Sequence, residues 1–230
     1  ANIINGTQAA NIIDGGGGGD ILMGGAGNDT YYADNLDTIF DTAGIDTVIT
    51  TSSLFTLTDS SNVENLTYSG VADVCYMFGN NLKNVITCNS SSGFHALFGN
   101  AGADTIVGSI SNDGLSGGDG KDILTGGGGR DWFYFDTPLN ASTNLDRITD
   151  FSHIQEDTIG LDTTIFTRFT TDLISSISSG NFVVGSKALD ADDYLIYNKG
   201  TVYYDVDGSG SGKAIAFLKL DGAPILDYTD

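Results

Sequence analysis

Residues 117–134 read Gly117-Gly-Asp-Gly-Lys-Asp-Ile-Leu-Thr125 and then Gly126-Gly-Gly-Gly-Arg-Asp-Trp-Phe-Tyr134, one nine-residue phrase written twice. Each copy opens on two glycines. A third glycine follows at position four, an acid at position six and a large apolar residue at position eight. A nine-residue period of this form predicts a parallel β-roll, in which a glycine-rich turn alternates with a very short strand. The glycines suit backbone with positive φ, and the position-eight side chain points into the roll.

Working outward, the same phrase extends upstream in strict register. Gly99–Val107 (GNAGADTIV) and Gly108–Ser116 (GSISNDGLS) precede it, so the position-six acids run Asp104, Asp113, Asp122 and Asp131. The turn glycines of this block are Gly99, Gly102, Gly108, Gly117, Gly118, Gly120, Gly126, Gly127 and Gly129. An earlier block spans residues 6–32. Gly6–Asp14 is degenerate, with Asn11 at position six. Gly15–Met23 carries Gly15, Gly16, Gly18 and Asp20, and Gly24–Tyr32 carries Gly24, Gly25, Gly27 and Asp29. Two further repeats are degraded: Gly79–Thr87 has Asn84 at position six, and the eleven-residue Cys88–Phe98 has His95 there.

Two nine-residue repeats make one coil, so each repeat is expected to stack on the next but one. That places Asn84, Asp104 and Asp122 on one side of the roll and His95, Asp113 and Asp131 on the other. In the first block Asn11 and Asp29 share a side, while Asp20 lies opposite, with Asp37 as its partner from the next coil. Asp146 or Asp150 is expected to serve at the far end. Stacked turns then bring carboxylates and turn carbonyls around one space. Ca²⁺ takes six to eight oxygens at about 2.3–2.6 Å in flexible geometry, which such turns supply. Mg²⁺ holds its water and a strict octahedron, and Zn²⁺ calls for Cys and His that the turns lack. The strongest sites are expected between the Asp104 and Asp122 turns and between the Asp113 and Asp131 turns.

Composition agrees. The formal charge is -21, from 30 acidic and 9 basic residues. Nucleic acid and anionic membrane surfaces are poor partners for such a chain, whereas divalent cations relieve its self-repulsion. Of 32 glycines, 24 precede Phe135. No apolar run approaches the ~20 residues of a membrane span. No amino-terminal signal peptide is visible, and Ala1–Asn5 read as the middle of a longer chain. Cys75 and Cys88 read as free, half-buried thiols, with one disulfide as the alternative.

The organisation expected is all-β: a right-handed parallel β-roll (β-solenoid) over 1–134 and a cap of antiparallel strands over 135–230. Within the roll, 33–78 read as metal-poor coils with strands near Thr47–Thr50, Leu54–Leu57 and Val63–Tyr68. A separate intervening domain is the alternative there. In the cap, Asp146–Phe151 and Lys213–Leu220 read as strands, Tyr194–Tyr204 as a hairpin turning at Asn198-Lys199-Gly200, and Ile165–Ser179 as a short helix. Asp205–Gly212 (DVDGSGSG) matches the first half of an EF-hand loop. Ala216 stands where that loop needs a bidentate Glu, so a turn between strands is expected. His153 reads as a solvated loop residue.

Gly15–Tyr32 and Gly99–Tyr134 resemble the repeats of the RTX family, the repeat-in-toxin or hemolysin-type calcium-binding proteins. Asp41–Leu66, with Gly44-Ile-Asp-Thr-Val48, is similar to a segment common in that family. Trp132–Asp136 followed by Asp146–Phe151 resembles the carboxy-terminal module of serralysin-like proteases, and Asp190–Tyr194, Ile196–Asn198 and Tyr203–Gly208 resemble the tail of type I secretion substrates. The resemblance implies a non-catalytic Ca²⁺-binding module of a secreted bacterial protein, exported unfolded by a type I secretion apparatus and folded outside the cell. One departure is the end, Tyr228-Thr-Asp230, where the family usually has aliphatic residues. A second class is a module binding carbohydrate or a cell surface, like those of alginate epimerases. Residues 1–134 offer only Lys83, Lys121 and Arg130 to an acidic glycan. A third is part of a secreted hydrolase such as a protease or lipase, or a site of its own around Asp190, Asp192 and Asp193. The sequence holds no H-E-x-x-H and no G-x-S-x-G.

Overall fold

A computed structural model describes residues 1–169 and 177–230. Its first strands are three residues each: β1 (Ile3–Asn5), β2 (Ile12–Asp14), β3 (Ile21–Met23), β4 (Thr30–Tyr32) and β5 (Thr38–Phe40). Their centres Ile13, Leu22, Tyr31 and Ile39 are buried. This follows from the period of two in side-chain direction: with one apolar residue between two glycine-rich turns, only the middle side chain can face inward. The middle of the chain forms β6 (Thr47–Thr50), β7 (Leu54–Thr56), β8 (Asn65–Tyr68), β9 (Val74–Phe78) and β10 (Val85–Cys88). The second glycine block gives β11 (Phe94–Phe98), β12 (Thr105–Val107), β13 (Asp113–Ser116), β14 (Ile123–Thr125) and β15 (Trp132–Phe135). Beyond it lie β16 (Asp146–Ile148), β17 (Thr158–Leu161), β18 (Phe182–Val184), β19 (Leu195–Asn198), β20 (Thr201–Tyr204) and β21 (Ile215–Leu220).

Strands of the roll pair in parallel with the next but one, with a single break between β5 and β7. Ile13 meets Tyr31, Ile106 meets Leu124 and Leu115 meets Phe133 across these pairs. The result is a parallel β-solenoid of about 7 turns. One face is continuous, β2 through β16 in even-numbered order; the other divides into β1-β3-β5 and β7 through β17. Residues 33–78 contribute coils to the same solenoid, since Tyr31, Val48 and Leu66 align in one row.

The stacking does not stop at Phe135. β16 pairs in parallel with β14, placing Ile148 beside Leu124, and β17 pairs with β15, placing Ile159 beside Phe133. The expectation that antiparallel strands begin at Phe135 is therefore corrected. Asp146-Arg-Ile148 and Asp157-Thr-Ile159 keep the acid–x–apolar order of a repeat, and only the turns before them lengthen. The antiparallel part is β19-β20-β21, with β21 parallel to β16 and β18 parallel to β19. Aromatic side chains close this end of the core: Phe166 lies 5.0 Å from Phe217 and 5.1 Å from Tyr204, both edge to face, in the arrangement that favours ring pairs.

The hairpin turns at Lys199-Gly200, both with positive φ. The Asp205–Gly212 loop joins β20 to β21. Of the helix expected over Ile165–Ser179, residues 165–169 form turns, and 170–176 lie outside the described residues. Cys75 and Cys88 are free and fully buried rather than half-buried. His153 is not merely solvated: its Nδ1 lies 2.5 Å from Asp230 Oδ1, tying the end of the chain to a turn of the solenoid. Among the described residues no helix is long and apolar enough to cross a membrane.

Candidate metal centres

The turn glycines divide into two kinds. Those at positions two and four hold positive φ, as Gly118 (φ +89) and Gly120 (φ +149) do; Gly16, Gly18, Gly25, Gly27, Gly102, Gly127 and Gly129 follow suit. Most of these also lack room for a side chain, since a Cβ on Gly118 would collide with the Asn100 carbonyl oxygen, whereas Gly16 and Gly18 face open space. Those at position one have ordinary φ and are needed for space alone. A Cβ on Gly24, Gly99, Gly117 or Gly126 would collide with the second carboxylate oxygen of its own repeat: Asp29, Asp104, Asp122 or Asp131. On Gly108 it would lie 2.7 Å from Asp113 Oδ2, and on Gly15 2.8 Å from Asp37 Oδ2. The Gly117 carbonyl faces the Gly99 position, and the Gly126 carbonyl faces Gly108. Each position-one glycine thus keeps open a space beside a carboxylate, and at Gly99 and Gly108 a carbonyl of the next coil lines it too.

The position-six side chains form a ladder along each edge of the solenoid. On one edge Asp29 Oδ1 accepts the Asn11 N–H at 2.6 Å and Asp46 Oδ1 accepts the Asp29 N–H at 2.7 Å. Glu64 then accepts from Asp46 at 2.8 Å. After a step through Asn84, Asp104 Oδ1 accepts the Asn84 N–H at 2.7 Å and Asp122 Oδ1 that of Asp104 at 2.7 Å. Asp146 Oδ1 accepts that of Asp122 at 2.9 Å. On the other edge Asp20 Oδ1 accepts from Asn2 at 2.5 Å, and Asp37 Oδ1 from Asp20 at 2.9 Å. Further along, Asp131 Oδ1 accepts from Asp113 at 2.9 Å and Asp157 Oδ1 from Asp131 at 3.0 Å.

In five of these groups one oxygen is used and the other is stranded. Oδ2 of Asp20, Asp29, Asp46, Asp104 and Asp122 is buried with no hydrogen-bond partner among the described residues. A buried carboxylate oxygen without a donor is costly, and the donor it lacks can be a cation. Asp113 differs. Its Oδ1 lies 2.7 Å from His95 Nδ1 and its Oδ2 accepts the Ser109 N–H at 2.5 Å, so both oxygens are engaged. The two sites expected to be the strongest are therefore chemically unequal.

Burial pushes these carboxyls upward: Asp104 and Asp131 to about 7, Asp122 and Asp46 to about 6, and Asp146 to about 8. The backbone N–H that each accepts opposes the shift. Asp29 moves the same way. An opposite charge in the oxygen-lined space would reverse it. With only oxygen donors there, and flexible turns, the set fits Ca²⁺.

Asp146 extends the hydrogen-bond ladder at the far end, whereas Asp150 accepts the Gly126 and Gly127 N–H groups at 2.9 and 2.8 Å. Three residues of the ladders were not singled out as ligands from sequence: Asp46, Glu64 and Asp157. Asp41 is a fourth addition. One oxygen each of Asp29, Asp41 and Asp46 lies within 4.8 Å of the others, all buried, and the Tyr31 hydroxyl donates to Asp41 Oδ2. Residues 33–78 thus carry buried carboxylates in line with the ladder. The signal was Gly44-Ile-Asp46-Thr, which repeats Gly27-Asn-Asp29-Thr and Gly102-Ala-Asp104-Thr; Asp41 in place of the first glycine hid it.

The family model of the RTX calcium-binding nonapeptide repeat (HemolysinCabind) matches the chain in four copies, over residues 1–31 and 98–133. It does not reach 32–97 or 134–230, so the likeness to serralysin-type modules gains nothing from it. No curated protein matches the chain.

Proposed function

Because the chain belongs to the family of RTX calcium-binding nonapeptide-repeat proteins, we propose that it is a non-catalytic module whose solenoid forms when Ca²⁺ enters its turns. The observation that carries this reading is the set of buried, partnerless Oδ2 atoms of Asp20, Asp29, Asp46, Asp104 and Asp122. Asp104, Asp122 and the Gly117 carbonyl hold one ion; Asp29, Asp41 and Asp46 hold another; Asp20 and Asp37 face a third. When bound, Ca²⁺ supplies the positive charge that these oxygens lack. The chain's own residues do the rest. Position-one glycines leave the space, position-two and position-four glycines bend the turn, and the backbone N–H of one coil fixes Oδ1 of the next.

Export and folding then follow from charge. With 30 acids against 9 bases, a chain without Ca²⁺ repels itself and stays extended, the form in which a type I secretion apparatus passes its substrates. Outside a bacterial cell, where Ca²⁺ is abundant, binding to the folded state alone drives folding. In this reading the module stabilises or carries an activity located elsewhere in its parent protein. The test is far-ultraviolet circular dichroism of the whole chain in chelator and in millimolar Ca²⁺. A cooperative gain of β signal on adding Ca²⁺ is expected, and equal β content in the two conditions would overturn the proposal.

A further inference from the structure

Three strands meet inside the solenoid at a cluster that contains no turn glycine. Cys75 lies on β9, Cys88 ends β10 and His95 lies on β11. Cys75 and His95 are direct partners across the parallel β9–β11 pair. All three side chains are buried, and one ligand atom from each lies within 4.8 Å of the other two. Both thiols are free. His95 Nδ1 is held 2.7 Å from Asp113 Oδ1, while its Nε2 is buried with no hydrogen-bond partner among the described residues.

We propose that Cys75, Cys88 and His95 form a site for a thiolate-seeking d¹⁰ cation of the Zn²⁺ class, with Asp113 as the carboxylate behind the histidine. The donors decide the chemistry: two sulfurs and an imidazole nitrogen select soft or borderline metals and reject Ca²⁺, which takes oxygen. A carboxylate on the far ring nitrogen is the partner that a metal-bound histidine characteristically keeps. It places the proton on Nδ1 and leaves the Nε2 lone pair for the metal. Charge closes as well. Two thiolates and a divalent cation sum to zero, leaving the Asp113 carboxylate as the one net charge, held by His95 Nδ1 and the Ser109 N–H, and binding releases the two thiol protons to solvent. With Zn–S bonds of ~2.3 Å, a tetrahedral site sets its sulfurs about 3.8 Å apart, so the cluster closes on an ion by small side-chain rotations. The site also accounts for the inequality of the two edges. Asp113 Oδ1 is engaged by His95 Nδ1, while its Oδ2 stays in the turn and accepts the Ser109 N–H. Because the ligands are enclosed, the cation enters as the chain folds.

The experiment uses the whole chain, unfolded in chelator with reductant, then freed of chelator and refolded by Ca²⁺ with one equivalent of Co²⁺. The expected result is one Co²⁺ per chain with a thiolate-to-cobalt charge-transfer band, bleached by Zn²⁺. Cys75→Ala and Cys88→Ala should lose the band while keeping the Ca²⁺-induced β signal, and His95→Gln should weaken Co²⁺ binding at least tenfold. Should a variant fail to fold, native mass spectrometry of the wild-type chain refolded with Zn²⁺ still reads the site, as one Zn²⁺ retained. Wild-type chain that refolds with neither band nor retained Zn²⁺ overturns the proposal. So does formation of a Cys75–Cys88 disulfide, when the chain is refolded without reductant, despite Zn²⁺ being present.

Discussion

Asp104 and Asp113 stand at the same position of successive repeats, on opposite edges of the solenoid, and use their carboxylates differently, although Asp20, on the edge of Asp113, keeps a stranded oxygen as well. Along the edge of Asp29, Asp46, Asp104 and Asp122, one carboxylate oxygen accepts a backbone N–H from the neighbouring coil and the other is stranded. Along the edge of Asp113, the histidine that replaces the acid one coil earlier takes one oxygen and Ser109 takes the other. The repeat therefore sets where the acids stand, and the residues around each acid decide whether it has an oxygen left for a cation. The ladder tolerates breaks in the nine-residue period, as the steps from Asp29 to Asp46 and from Asp122 to Asp146 show, and the stranded oxygen is the feature that calls for a cation.

The largest effect expected separates the edges outright. Asp104→Ala with Asp122→Ala should raise the Ca²⁺ concentration for half-folding by roughly 100-fold, about tenfold per lost carboxylate. Asp113→Ala with Asp131→Ala should raise it by less than about tenfold. Calcium titrations followed by circular dichroism measure both, and equal shifts would break the comparison. Next comes Ile106→Ala. It empties a fully buried position in the row shared by all coils, and should cost about 2–5 kcal/mol in urea unfolding at saturating Ca²⁺. The number of ions bound should not change.

A pH effect of intermediate size follows from burial. The Asp104 carboxyl is pushed from its ordinary 3.8 up to about 7 in the fold. Below about 3.8 both folded and unfolded chains are protonated there, and the contribution to stability is fully present. As pH rises through about 7 it is lost. In chelator, β signal should thus increase between about pH 8 and about pH 5. In Ca²⁺ the trend reverses at the sites, because protons compete, and the Ca²⁺ midpoint should rise as pH falls below about 7. A midpoint independent of pH would contradict the burial of these ligands. The smallest effect expected is that of Gly16→Ala, at a residue with φ +74 and open space around its Cβ. It should cost about 1 kcal/mol of stability through backbone strain alone and leave ion binding intact. Loss of an ion there would mean that the two kinds of glycine are not distinct.

Much of this was legible in the sequence, for a physical reason. In Gly15–Tyr32 and Gly99–Tyr134 one residue per repeat is apolar and inward, one is acidic and in the turn, and the period fixes both. Stacking on the next coil but one follows by counting. Where the period stretches, counting fails. From Asp122 to Asp146 and from Asp131 to Asp157 the turns are longer, which hid the fact that the parallel rungs run past Phe135. Asp41 and Asp46 were concealed by the loss of the first glycine, although Gly44-Ile-Asp46 kept the turn. The Cys75, Cys88 and His95 cluster leaves no local signal, because its members come from three strands that only stacking brings together.

The central claim is that stranded carboxylate oxygens mark the calcium positions. Crystals grown in Ca²⁺ test it through anomalous difference density. Peaks are predicted beside Oδ2 of Asp29, Asp104 and Asp122, between stacked turns, with the Asp113 turn weaker or empty. Density at the Asp113 turn with none beside Asp104 and Asp122 would contradict the account.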